Sequence, residues 1–222
     1  GPLAATSAEI VSRTGQEVLA LTADVAEPHT AELLVHRTVE RFGRLDILVI
    51  NAGGPPAGKF LDFTPHDWEQ AAQLTLMSAV RLCYAAVPVM KECGEGAILA
   101  MTSVTVRQPL PDLILSNSLR LGVIGLIKTL ADELGPFGIR VNAICPGWTR
   151  TERVEQLLRD RAARNQTTPQ EEAERITSAI PLRRMGTPEE FARAAAFLVS
   201  PAASYITGVS MLVDGGMYRG AL

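Results

Sequence analysis

Leu45-Asp46-Ile47-Leu48-Val49-Ile50 is an almost unbroken apolar run, and it stops abruptly at Asn51-Ala52-Gly53-Gly54-Pro55-Pro56. A strand with one wet face alternates apolar and polar side chains. A strand without that alternation is covered on both faces, as in parallel sheets flanked by helices. The pattern repeats along the chain. Glu17–Thr22 reads as a strand, and His29–Phe42 as a helix closed by Gly43. Thr64-Pro65 opens a long helix reaching about Lys91, with Pro88 near its end. Ala97–Met101 is the next strand, ending at Thr102-Ser103. A loop with Pro109 and Pro111 leads to a helix from about Leu115 to Leu134, ended by Gly135-Pro136. Ile139–Cys145 reads as a strand closed by Pro146-Gly147, and the polar Thr151–Thr177 as two short helices. Pro188–Val199 is a further helix, and Ile206–Val213 a last strand before Asp214-Gly215-Gly216.

Strands alternating with helices imply one α/β domain with a parallel sheet, helices on both faces and right-handed crossovers. Ligands in such sheets sit beyond the carboxyl ends of the strands. That rule places Asp24, Asn51 to Gly54, Ser103 and Pro146 to Thr151 around one rim. Residues 151–178, with Asn165-Gln166-Thr167-Thr168, are the candidate mobile substrate lid.

Length and composition bound the rest. The 222 residues suit a single large domain with a core that needs no metal or disulfide. A net charge of -3 argues against nucleic-acid binding. Cys83, Cys93 and Cys145 are scattered, so neither a disulfide framework nor a metal site is expected, and a reducing cytoplasm is the simplest location. No apolar run of membrane-spanning length is expected, and no export signal is seen.

The rim motifs, taken in order, resemble the short-chain dehydrogenase/reductase family. Asp24-Val25, Asn51-Ala52-Gly53, Ser103 and Pro146-Gly147 with Thr151 each follow a strand. Pro181 to Glu190 is similar to the segment before the family's last helix, and Gly208 to Gly216 to its last strand. The resemblance runs from about Ala8 to Met217 and implies a Rossmann-type doubly wound sheet binding NAD or NADP. It places Asp24 and Val25 near the adenine, and Asn51, Ala52 and Gly53 along the cofactor. Pro146, Gly147, Thr149 and Thr151 would approach the nicotinamide. Two of these residues have a plainer alternative: Asp24 as a turn residue and Thr151 as a helix N-cap.

The chain departs from the family twice. The first β-α-β-α portion, with the glycine-rich turn that holds the pyrophosphate, has no counterpart in Gly1–Val11. Gly1-Pro2 reads either as a protease scar on an engineered fragment or as the first observed residues of a longer chain, the second being favoured. In the family strand order, Glu17–Thr22 then lacks a neighbour and Leu45–Ile50 shows an open apolar edge. The second departure is chemical. The family's Asn, Ser, Tyr and Lys fall on Thr75, Ser103, Ser116 and Arg120, so Ser-Asn-x-x-Arg stands in place of Tyr-x-x-x-Lys. This resembles an atypical branch of the family. Serine is a far weaker acid than a phenol, and Arg120 stays charged. Arg120 would grip ribose, a substrate oxygen, or a carboxylate or phosphate, unless an acidic neighbour neutralises it.

The resemblance therefore implies an NAD(P)-dependent oxidoreductase acting on a carbonyl/alcohol pair, similar to the 3-oxoacyl-carrier-protein reductases and sugar-alcohol dehydrogenases. The alternative is a non-catalytic dinucleotide-binding or scaffold protein on the same fold. A small-molecule substrate is expected, with neither nucleic acid nor membrane as partner. Pairing through the helices Asp67–Lys91 and Leu115–Leu134 would give a homodimer or homotetramer.

Overall fold

The structure, a computed structural model, describes residues 1–221. Four parallel strands lie in chain order: β1 (Ile47–Ile50), β2 (Gly96–Met101), β3 (Ile139–Pro146) and β4 (Ser210–Val213). The helices between them are α1 (Pro2–Thr14), α2 (Thr30–Phe42), α3 (Pro65–Ala72), α4 (Ser78–Cys93), α5 (Ile114–Leu134), α6 (Glu152–Asn165), α7 (Pro169–Ala179) and α8 (Pro188–Val199). This is a Rossmann-type doubly wound sheet without its first β-α-β-α portion.

The two faces of the sheet follow from its two-residue side-chain period. Ile98 and Ala100 of β2 and Val141 and Ala143 of β3 pack with α2, α4 and α5, through Val35, Leu82, Ala86, Met90, Val123 and Ile127. Leu99 and Ile144 point the other way, onto Phe191 and Leu198 of α8. Arg140 fastens α8 to the sheet by donating to the carbonyls of Leu198, Val199, Ser200 and Ile206. The carbonyls of Leu198, Val199 and Ser200 lie at and just beyond the helix C-terminus, where in-helix partners run out, and that of Ile206 lies on the approach to β4.

β1 explains itself by its neighbours. Its register pairs Ile47 with Ala97 and Val49 with Leu99. Leu48 and Ile50 are buried, whereas Ile47 and Val49 are 45% and 47% exposed, because no helix covers that face there. The open edge expected at Leu45–Ile50 is present as well, since β1 pairs only with β2 at the end of the sheet.

Three expectations need correction. Glu17–Thr22 is not a strand. Its apolar pattern fits one, but a strand exists only by pairing, and no neighbouring strand reaches it. The last strand begins at Ser210, not Ile206. The Asn142 side chain takes the Ile206 carbonyl and the Val209 N–H, replacing the ladder there. Finally, Pro65–Cys93 and Ile114–Phe137 are long and apolar enough, by length and composition, to cross a membrane. In this structure both pack against the sheet.

The long helix after Thr64 starts as expected, with a capping box between Thr64 and Asp67. It is not continuous α-helix. A π turn, Gln73–Met77, separates α3 from α4. The polar segment beyond β3 forms α6 and α7 around a small cluster of its own: Trp148, Leu157, Leu158, Ile176, Ile180 and Met185. Glu172, 2% exposed, ties their turn together by accepting from Asn165, Thr167 and Arg175.

Candidate active site

At the tip of β2 the chain runs through buried Thr102 to Ser103. Ser103 is extended and caps the short turn Val104–Val106, its Oγ accepting the Thr105 N–H at 3.2 Å. That bond uses a lone pair and leaves the hydroxyl proton free to donate. The helix α5 passes beside this tip. It presents Ser116 and, one turn on, Arg120 from the same face. Ser116 is half-buried and its hydroxyl has no hydrogen-bond partner among the described residues. Arg120 Nη1 donates to the Met101 carbonyl at 3.0 Å, two residues before Ser103. Burial lowers the Arg120 pKa below the usual guanidinium range, and the charge of Arg153 lowers it further. The group remains cationic at any working pH.

Asn117, between Ser116 and Arg120, has a structural task. Its side chain donates to the Leu110 carbonyl at 2.9 Å and accepts the Leu110 N–H at 3.2 Å. It therefore pins the loop that leads from Ser103 into α5. On the floor of the site, Cys145 at the end of β3 lies 3.0 Å from the Thr102 hydroxyl. Burial pushes its thiol pKa up, against the pull of the Thr102 hydrogen bond.

Thr75 sits inside the π turn, 4% exposed, and its Oγ1 has no partner among the described residues. The turn packs closely on α5: a Cβ added at Gly122 would meet Leu76 at 3.3 Å. Single π turns occur often at functional sites.

The cofactor residues divide. Val25, Asn51 and Ala52 line one cavity of about 220 Å³ beside Leu34 and Val49. Gly53 is exposed, and an added Cβ there would meet nothing within 4 Å, so the surface above it is open. Asp24 takes its turn role, Oδ1 accepting the Ala26 N–H at 2.9 Å. Thr151 caps α6 by accepting the Val154 N–H at 3.4 Å. At Gly147 a Cβ would collide with Asp214 at 2.7 Å, so β4 requires that glycine on its own. Thr149 lines a hollow of about 130 Å³ with Trp148, Thr187 and Asp214.

One residue was not expected. Arg153, in the first turn of α6, donates to the Pro55 carbonyl at 2.7 Å and lies against Gly54, so it spans from α6 to the loop after β1. A cation in the first turn of a helix opposes the macrodipole. That local conflict was the available signal.

At this rim a dinucleotide would meet the open surface above Gly53 and the unpartnered Ser116 hydroxyl, while the orphaned Thr75 hydroxyl is buried. The described residues hold no glycine-rich turn for the pyrophosphate.

A parallel doubly wound sheet with its polar strand tips gathered at one rim is the architecture of Rossmann-type dinucleotide-binding folds. The sequence profile described as "Enoyl-(Acyl carrier protein) reductase" matches residues 2–218. The chain belongs to the short-chain dehydrogenase/reductase family. It is 36% identical over 203 residues to oxidoreductase UcpA of Escherichia coli (strain K12), covering 91% of this chain and 76% of that protein. It is 38% identical over 212 residues to a 3-oxoacyl-[acyl-carrier-protein] reductase of Synechocystis, covering 95% and 79%. The L-sorbose reductase of Gluconobacter frateurii, solved with NADPH and L-sorbose, superposes with a TM-score of 0.92 at 31% identity, covering 98% and 83%.

Proposed function

We propose that the protein interconverts a carbonyl and an alcohol with NAD or NADP, as a 3-oxoacyl-carrier-protein reductase-like enzyme with Ser116 and Arg120 in place of tyrosine and lysine. One observation supports this reading: Arg120 of α5 reaches the Met101 carbonyl at the end of β2 and has no acidic partner among the described residues, with Ser116 one turn earlier on the same helix. The bound cofactor supplies or removes the hydride. Ser103 donates its free proton to the substrate oxygen and orients it. Ser116 is too weak an acid to replace a phenol, so it relays a proton from water. Arg120 places positive charge where oxygen becomes negative. Thr75 offers a hydroxyl at the turn packed on α5. Asp24, Val25, Asn51, Ala52 and Gly53 line the path towards the adenine, while Pro146, Gly147, Thr149 and Thr151 flank the nicotinamide. Residues 151–178 act as the lid.

The same reading makes the protein a cytoplasmic homodimer or homotetramer. Exposed Tyr84 and Leu121 on α4 and α5 support pairing through those helices.

The test is NAD(P)H absorbance at 340 nm with the full-length protein and a broad carbonyl panel. Turnover that Arg120→Ala abolishes supports the enzyme. Absence of turnover, with activity arising only in Ser116→Tyr/Arg120→Lys, contradicts it and identifies a non-catalytic dinucleotide-binding protein. That second reading draws on the three tyrosines. Tyr84 and Tyr205 are exposed away from the site, and Tyr218 lies beyond β4, donating its backbone N–H to Asp214.

A further inference from the structure

Arg120 and Arg153 are anchored alike. Each spends a guanidinium N–H on a backbone carbonyl, Arg120 on Met101 at the end of β2 and Arg153 on Pro55 in the loop after the neighbouring strand β1. Neither forms an ion pair among the described residues. Most of the N–H donors on both groups therefore lack a protein partner. The charge of exposed Arg153 acts on half-buried Arg120 and lowers its pKa, and neither side chain is needed to hold its own element. Thr151 already caps α6, and Asn117 already pins the α5 loop. An anion between them would remove the repulsion and accept paired N–H bonds from planar forks.

We infer that the substrate of this site is a short oxo acid, or its hydroxy acid, whose carboxylate is clamped between Arg120 and Arg153 while its carbonyl oxygen meets Ser103 and Ser116. The inference rests on the oxidoreductase reading and deepens it. The spacing supports it: one turn of α5, about 6 Å, separates Ser116 from Arg120, which fits a carboxylate one or two carbons from the carbonyl. The chemistry supports it as well. A carbonyl beside a carboxylate held by two cations is electron-poor. It needs less acid assistance than an isolated ketone, which suits a site with serine where a phenol would stand. Arg153 is then a specificity-determining residue that touches substrate.

The probes are 2-oxobutanoate, its neutral methyl ester, and oxamate as an unreactive oxo-acid mimic, all with full-length protein. Natural protein is expected to favour the acid over the ester in kcat/KM. Arg153→Gln should lower that preference roughly tenfold to a hundredfold, the range for losing a charge-assisted hydrogen bond. Oxamate binding, measured by calorimetry without cofactor, should weaken by a similar factor in Arg153→Gln. Arg120→Lys, which keeps the charge but loses the fork, should weaken it too. Equal use of acid and ester overturns the inference and leaves the oxidoreductase intact. Loss of NADPH affinity in Arg153→Gln with oxamate binding unchanged also overturns it, and gives Arg153 to the cofactor's phosphates. Oxamate binding that depends on both arginines, in a protein that reduces no carbonyl, sustains the anion clamp and rejects the enzyme.

Discussion

Replacing Thr75 with valine should make the protein more stable. Thr75 is 4% exposed, and its hydroxyl oxygen meets no donor or acceptor among the described residues. A threonine in an ordinary helix commonly returns its hydroxyl to a carbonyl one turn back. Ser78, just after the π turn, does this with Leu74 at 2.5 Å. Within the wide turn Gln73–Met77, Thr75 does not. An unpaired buried hydroxyl costs about 1 to 3 kcal/mol by mutational measures. Valine keeps nearly the same shape, so Thr75→Val should gain about 1 to 2 kcal/mol. For a chain of this size that raises Tm by about 3 to 6 °C. Urea denaturation should show a higher midpoint at constant slope. If the hydroxyl is kept for a bound ligand, the stabilised variant should also lose kcat/KM. A loss of more than about 1 kcal/mol of stability would refute the reasoning, because it would mean the hydroxyl has a partner after all.

Other perturbations follow from the same geometry. Asn117→Ala removes both bonds to Leu110 and should cost about 1 to 3 kcal/mol in urea unfolding, with earlier proteolysis in the loop before α5. Arg140→Met removes the side-chain donor of the Leu198 and Val199 carbonyls, while Ser200 and Ile206 keep other donors, and should cost about 2 to 4 kcal/mol and expose the C-terminal end of α8 to hydrogen exchange. Glu190 accepts from Arg184 and the Thr187 N–H, which hold its carboxyl down to about 2 from an ordinary 4.5. A pKa lowered on folding adds stability above the ordinary value, and that stability fades as pH falls from 4.5 towards about 2. Glu190→Gln should therefore flatten the acid limb of a Tm-versus-pH profile in that window.

The elements best legible in the sequence were those whose signals are local. Thr187-Pro188 with Glu190 is a complete capping box, and α8 spans Pro188–Val199 as expected. Gly43 ends α2 in a left-handed conformation, as a helix-closing glycine should. What the sequence concealed is non-local. Glu17–Thr22 has a strand's residues but no partner, and Ile206–Val209 gives its pairing groups partly to the side chain of Asn142. The π turn at Thr75 is a change of hydrogen-bond register inside an amphipathic pattern that barely alters. At the site, Ser103, Ser116 and Arg120 were marked by the family resemblance, which sets its serine and its Tyr-x-x-x-Lys pair on those positions. Arg153 was not, since its importance depends on reaching a loop some hundred residues earlier in the chain. Gly147 was readable as a glycine but not for its cause, the backbone of Asp214.

The most direct measurement is a crystal structure of the full-length protein with NADP and oxamate bound. The account predicts the nicotinamide over the β2 tip, the oxamate carbonyl within about 3.5 Å of both serine hydroxyls, and its carboxylate bridging the two guanidinium groups. A nicotinamide seated away from Ser103, or an oxamate that touches neither arginine, would contradict it.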